Sequence, residues 1–339
     1  MSIPYRTRQT IKGFLVAVLV IAVIAALCAL CWFLWVSRFL VYSRDQGAYF
    51  DFDRPGTFAG GEIAEAPSTE ETISIYYNDG QNSISSSTEL EQLNGYYISA
   101  QALETDFASI MPQLEAIEDG TAIMVDVKSI QGNFFYSSKV SEFRNSDIDT
   151  EAMDDLLDYL KRRDLYLIAR LPAFRDFNYG LNHVSDGLPT PGGWLWMDSS
   201  NSYWLNPASS GTMNYLTSIV VELQTLGFDE VVFYDFCFPS TDQIVFSGDR
   251  DQTIVETAQK LVDTCATHNF AVSFAAGANF VVPEGRTRLY LQNISATQVS
   301  ATADMTAVAD KIIGLVFITE LHDTRFDEYG VLRPLDSAH

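Results

Sequence analysis

The sequence predicts an α/β protein whose parallel strands close into a barrel, incomplete or with one irregular strand. Three observations predict this. From Leu93 onward, short apolar runs alternate with amphipathic stretches. A single uncharged apolar run lies near the N-terminus, and an acidic Ser/Thr-rich segment separates it from the rest. The chain of 339 residues is long enough for one large domain with a full core.

The apolar run spans Gly13 to Val36, 24 residues without a charge. At about 1.5 Å per residue, a helix of this length crosses the ~30 Å hydrocarbon core with some tilt. Trp32 and Trp35 stand near its far end, where indole favours the interface. A cleaved signal peptide has a shorter apolar stretch, ~7–15 residues, before a small-x-small site. Leu27 and Leu30 precede Cys28 and Cys31, where lipoprotein processing needs a small residue. The run is therefore read as an uncleaved transmembrane helix.

Its flanks give the orientation. Arg6, Arg8 and Lys12 make residues 1–12 a basic head, and the first 37 residues contain no acid. The positive-inside rule then places the N-terminus in the cytoplasm and the rest of the chain outside the cell membrane. Beyond the head, 18 basic residues face 44 acidic ones, so the exported part carries −26. With a pI near 4.3 there is no basic face for nucleic acid. Only Cys237 and Cys265 lie outside the span. One stands at a strand top and the other near the end of the next helix, too far apart for a bridge, so both are expected reduced.

Residues 37–92 are dominated by Ser, Thr, Glu, Asp and Gly, and read as a flexible, self-repelling stalk. Ile73 to Tyr77 is the one candidate strand within it.

From 93 to 339 the elements follow in order. A first strand at Asn94–Ser99 leads to a helix over 103–118. A buried strand at 121–127 precedes an amphipathic helix over 150–163, with Met153, Leu156, Leu157 and Leu160 inward. The third strand is 164–171, followed by a long loop over 172–207 and a helix over 211–226 stopped by Gly227. Strands at 230–236 and 270–275 flank a helix over 251–268, and further strands fall near 295–299 and 312–318. Such βα repetition points to a TIM-type (β/α) barrel. A doubly wound sheet is the weaker reading, because no Gly-rich turn follows the first strand.

In a barrel, chemistry belongs at the C-terminal strand ends. Those ends carry Ser99, Asp126 with Lys128, Arg170, Asp235, and Thr319-Glu320 with His322 and Asp323. Each also has a structural reading: Asp126, Lys128 and Arg170 could form rim ion pairs. Asp229-Glu230 sits at a strand start, on the stability face, and reads as capping or solvated. The long loop adds Trp194, Trp196, Tyr203 and Trp204 within a few residues. Flat aromatic faces suit sugar rings. Trp204 is read as the loop's own core and the others as reaching the cleft. The four histidines are scattered and no HExxH occurs, so no metal or cofactor is expected.

Five ordered motifs carry a family resemblance: GYYIS at 95–99, IMVDVKS at 123–129, LYLIARLPAFRD at 165–176, WLNP at 204–207 and GFDEVVFYDFCFP at 227–239. Together they resemble a glycoside hydrolase-like family of secreted or membrane-anchored bacterial TIM barrels, distantly similar to the α-amylase type. The resemblance covers about 93–320 and implies a barrel acting on polysaccharide. The family motif after the fourth strand reads like DEIQFDYIRFP. Aligned without gaps, it puts Tyr234 at the acidic position and Cys237 at the arginine, with no replacement for that arginine nearby. Asp235 falls one residue late, on the opposite face of an ideal strand unless a bulge or the strand's end turns it.

Two functional readings follow. The first is a glycosidase with two carboxylates, Asp235 as nucleophile or base and Glu320 or Asp126 as proton donor. Lys128, Arg170, Tyr97, Trp194, Trp196 and Tyr203 would then hold substrate. A separation of about 5–5.5 Å would mean retention and about 6.5–9.5 Å inversion. The second is a catalytically degenerate barrel that binds glycan or scaffolds an envelope complex, which the Tyr234 and Cys237 departures favour.

Overall fold

The computed structural model describes residues 40–43, 47–50 and 90–335. Within the segment read as a stalk, two strands, Leu40–Ser43 and Gly47–Phe50, pair antiparallel with Leu40 opposite Phe50. The basic head, the apolar run 13–36 and Ile73–Tyr77 lie outside the described residues. Among those described, no helix is long and apolar enough to cross a membrane.

Eight parallel strands close into a barrel. They are β1 (Asn94–Ile98), β2 (Ala122–Asp126), β3 (Tyr166–Pro172), β4 (Glu230–Tyr234), β5 (Ala271–Ala275), β6 (Leu289–Gln292), β7 (Leu315–Ile318) and β8 (Gly330–Pro334). Sequence order is spatial order, and β8 pairs with both β7 and β1 to complete the ring. The barrel is therefore complete. Its eighth strand falls later than any strand read from the sequence. Residues 295–299 are not a strand: Val299 begins a helix, and β6 precedes it at Leu289. The irregularity lies at two crossovers, residues 276–288 between β5 and β6 and residues 319–329 between β7 and β8, neither of which contains a helix.

Elsewhere helices follow strands as the pattern requires. They are α1 (Ala100–Thr105), α2 (Phe107–Glu115), α3 (Thr150–Arg162), α4 (Phe177–Asn182), α5 (Ser210–Leu226), α6 (Arg250–Cys265), α7 (Val299–Met305) and α8 (Lys311–Gly314). The single helix read over 103–118 is two, broken at Asp106, whose φ of −144° leaves the helical region. Side-chain caps fix the starts: Ser99 Oγ accepts from Ala102 N, and Asp149, Asp176, Ser209 and Asp249 do the same for α3 to α6. Gly227, at φ +92°, ends α5 in the left-handed region. The α3 face of Met153, Leu156, Leu157 and Leu160 is buried as its periodicity requires.

Two apolar layers result. One fills the space between strands and helices. The other fills the barrel itself, with Ala122, Met124, Ile168, Val232, Tyr290, Val316 and Leu332. Even-numbered residues of β2 to β4 point inward, so the strand period of 2 decides which side chains share the axis. Gly95 is demanded by closure: a Cβ there would sit 1.8 Å from the Ala122 carbonyl oxygen.

The floor of the barrel is polar and sealed. Glu230 is fully buried, not capping or solvated as its place at a strand start suggested. Its carboxylate pairs with Arg288 and accepts from Tyr166 Oη and Tyr290 Oη, each at 2.9 Å. Arg288 also donates to Tyr166 Oη (3.2 Å) and to the carbonyls of Ile313 (3.1 Å) and Glu91 (2.8 Å). Cys265 is buried, Cys237 is exposed, and both are free thiols.

Candidate functional site

At the opposite end, the last inward positions of four strands meet. Tyr97 (β1), Asp126 (β2), Arg170 (β3) and Tyr234 (β4) all lie on the even or axial register described above. Asp126 accepts from three donors: Tyr97 Oη at 2.6 Å, Ala100 N at 2.8 Å and Arg170 Nη1 at 2.8 Å. Arg170 also donates to Tyr97 Oη at 2.6 Å and lies 4.3 Å from the centroid of the Tyr234 ring. Its Nη2 approaches Gln292 Oε1, the last residue of β6, at 3.5 Å.

Electrostatics follow from this packing. Burial opposes the Arg170 charge, but Asp126 and the two tyrosine hydroxyls more than offset it and hold the guanidinium protonated, above its usual range. Burial and then the Asp126 charge push the Tyr97 and Tyr234 phenols well up, so both remain neutral donors. An open cleft of about 660 Å³ stands over the cluster, with Tyr97, Arg170, Gln292, Asn293, Thr319 and Glu320 in its wall. Glu320 is exposed there, and no described cation pairs with it.

Asp235 behaves differently. Tyr234 takes the inward position, and Asp235 follows the strand end with φ +51°. Asn293, directly after β6, has φ +59°. Left-handed backbone at a non-glycine residue is uncommon, and two of the three instances among the described residues fall at strand tops, the third being Asn201 in the long loop. The turn aims the Asp235 carboxylate at Arg175, whose Nη1 lies 3.1 Å from Oδ2. Arg175 Nη2 pairs in turn with Asp198 Oδ2 at 2.8 Å, which also accepts from Trp204 Nε1 at 3.0 Å. Leu205 N donates to the Phe174 carbonyl at 2.7 Å and Asp176 N to that of Tyr203 at 3.0 Å, locking Arg175 in place. Arg175 comes from the loop after β3 and is the guanidinium that meets Asp235. Sequence reasoning missed it because a loop residue has no period to place it; its position in LPAFRD was the available signal.

Several expected site residues stand elsewhere. Lys128 is fully buried, its Nζ 2.7 Å from Asp176 Oδ2, because the chain leaves β2 at Asp126 and turns under the following loop. Tyr215 Oη (2.8 Å) and Tyr179 N (2.7 Å) complete the Asp176 shell, so Lys128 offers a substrate nothing. Tyr203 stacks on Phe177 at 5.2 Å. Trp196 packs on Trp204 and donates Nε1 to Gln243 Oε1 at 3.2 Å. Trp194 is 79% exposed. None of these three lines the axial cleft. Trp204 is buried beneath the loop, in line with its reading as local core. Ser99 caps α1, and Asp323 is turned onto Arg325 at 2.7 Å, which holds its carboxyl at about 2. His322 lies in a different depression beside Tyr96 and Arg333. Among the described residues, no three His, Cys, Asp or Glu side chains converge as metal ligands would.

A complete parallel barrel with a polar cluster and an open cleft at its C-terminal strand ends defines a TIM-type α/β barrel with its candidate site in the usual place. The chain belongs to the family described as "Putative glycosyl hydrolase domain", whose model matches residues 95–276. Among solved structures it is similar to a variant of the GH36 alpha-galactosidase AgaA from Geobacillus stearothermophilus, in complex with stachyose. That likeness has TM-score 0.51 and 10% identity, over 71% of this chain and 39% of AgaA. It is also similar to a hypothetical protein from Ruminiclostridium thermocellum, with TM-score 0.45 and 21% identity over 53% of this chain and 96% of that one. A third is the GH20 exo beta-N-acetylglucosaminidase from Vibrio harveyi, with TM-score 0.49 and 9% identity over 72% and 50%. The chain thus spans half or less of the two named enzymes. No curated protein matches the sequence.

Proposed function

We propose that this is a membrane-anchored glycoside hydrolase-like protein whose extracytoplasmic barrel takes a cell-envelope or extracellular polysaccharide at its mouth. The observation that carries the reading is the Tyr97–Asp126–Arg170 cluster floored by Tyr234 and opening into a polar cleft. Neutral phenols, a fixed guanidinium and the Gln292 amide are the donors and acceptors that sugar hydroxyls need, and the tyrosine rings add apolar faces. The anchoring and export rest on the 13–36 run and its basic flank.

Within this reading Asp235 is the candidate nucleophile or base, held by Arg175, and Glu320 is the candidate proton donor. Asp126 is not the donor: three hydrogens already point at its two oxygens. It positions Arg170 and Tyr97. The competing reading, binding without cleavage, is favoured by Tyr234 in the inward slot and by Asp235 and Glu320 lining different clefts. Reducing-sugar release from a panel of envelope polysaccharides separates the two. Hydrolysis predicts release that Asp235→Asn and Glu320→Gln each lower by at least about 100-fold, the scale of acid–base catalysis. Retained glycan binding with no release by the wild type supports binding alone.

A further inference from the structure

The loop that crosses from β5 to β6 without a helix leaves a second groove at the barrel mouth. It runs between that loop and the first turns of α6 and measures about 820 Å³, larger than the axial cleft. Asp235 stands in its wall, so the groove begins at a candidate reacting group. Its floor is aromatic: Phe280 packs edge-on against Phe236 at 6.2 Å. Its rim is polar, with Arg250 and Asp251. Arg250 Nη1 donates to the Thr241 carbonyl at 3.2 Å, and the guanidinium lies 5.8 Å from the Phe238 ring centroid. No described carboxylate pairs with it, and the rest of its five-donor fork has no partner among the described residues. Opposite, Gly277 is exposed, and a Cβ there would meet nothing within 4 Å.

We infer that this groove is a second sugar-binding subsite, which takes further units of the same glycan chain beyond the axial cleft. The inference rests on the glycan reading of the mouth and extends it from a single cleft to a chain. Strands β5 and β6 are neighbours in the barrel, so the groove and the cleft adjoin around one rim. Either one is of a size for one small ligand, whereas the two in series suit a polymer. An aromatic floor under a polar rim matches the apolar face and hydroxyl edge of a pyranose. The arginine fork can address two neighbouring hydroxyls at once.

The test is a glycan array printed with di- and hexasaccharides of neutral and amino sugars, probed with the full-length chain. The wild type should bind a hexasaccharide about tenfold more tightly than the disaccharide of the same sugar, the scale of one charge-assisted hydrogen bond. Gly277→Trp, which fills the groove, and Arg250→Ala, which removes its fork, should each reduce that ratio to about one. Arg170→Ala should weaken both lengths together. A wild-type ratio near one, or a ratio that survives both variants, overturns the subsite and leaves the axial cleft standing. A wild type that binds no spot overturns the glycan reading and the subsite with it.

Discussion

At the floor of the barrel Glu230 and Arg288 are paired between Tyr166 and Tyr290, and the carboxylate, the guanidinium and Tyr290 are buried. At the mouth Asp126 and Arg170 are paired between Tyr97 and Tyr234. The chemical kit is the same at both ends: one carboxylate, one guanidinium, two phenols. What differs is closure. Both carboxylates have their two oxygens filled, but the floor arginine ends on two backbone carbonyls. The mouth arginine ends on a 3.5 Å approach to Gln292, under an open cleft. A saturated cluster can only hold the fold together, whereas one with spare capacity facing solvent can also hold a ligand. Residue type alone does not mark a site; the unfilled part of its hydrogen-bonding capacity does.

The largest expected effect is at the floor. Glu230→Gln leaves the Arg288 charge buried and uncompensated, which costs about 3–5 kcal/mol. A denaturation midpoint measures it. A loss below about 1 kcal/mol would mean that the floor is wetter than the geometry allows, and the contrast between the ends would fail.

Next is the mirror change, Asp126→Asn. Here solvent can reach the freed guanidinium, so the stability loss should be about 1–3 kcal/mol, smaller than at the floor. Glycan binding should nevertheless fall by about tenfold or more, because Arg170 and Tyr97 both lose the group that orients them. Equal stability losses in the two variants, with binding untouched, would erase the distinction.

How far the sequence reveals these two clusters depends on periodicity. Alternation within β2, β3 and β4 puts Asp126, Arg170 and Tyr234 on one face, so the mouth was largely legible once the strands were found. Lys128 was misplaced because the period of 2 ends with the strand at Asp126. The floor was invisible for another reason: Glu230 and Arg288 come from β4 and the edge of β6, two strands apart in the ring, and hydropathy reads both as surface residues. Strand β6 itself has only four residues and no helix before it, so it offered no βα rhythm. Strand β8 is five residues with an Arg and a Pro, a pattern that alone reads as a loop. In the aromatic loop composition alone cannot separate ligand contact from local packing, and Trp196 and Tyr203 meet the cost of exposure with neighbouring rings.

A surface change at the mouth should register least in stability. Trp194→Ala removes a side chain already 79% exposed, so the midpoint should move by no more than about 0.5 kcal/mol. A larger loss would show that the aromatic loop braces the rim.

The smallest effect is a matter of pH. Burial raises the Asp198 carboxyl, but hydrogen bonds from Trp204 and from the Ser202 and Ser200 amides, together with the Arg175 charge, outweigh it and leave the group below its ordinary value of about 3.9. A carboxyl with a depressed folded pKa binds its proton more readily in the unfolded chain. Its stabilising contribution is therefore complete above the unfolded pKa and is lost as pH falls through the folded one. Stability of the wild type should drop below about pH 4 partly for this reason, and Asp198→Asn should flatten that part of the curve without touching the Glu230 floor. Because Asp198 holds Arg175, and Arg175 holds Asp235, the same variant should weaken any hydrolysis that uses Asp235. Hydrolysis unchanged in Asp198→Asn would place Arg175 outside the working site and return the mouth to the axial cluster alone.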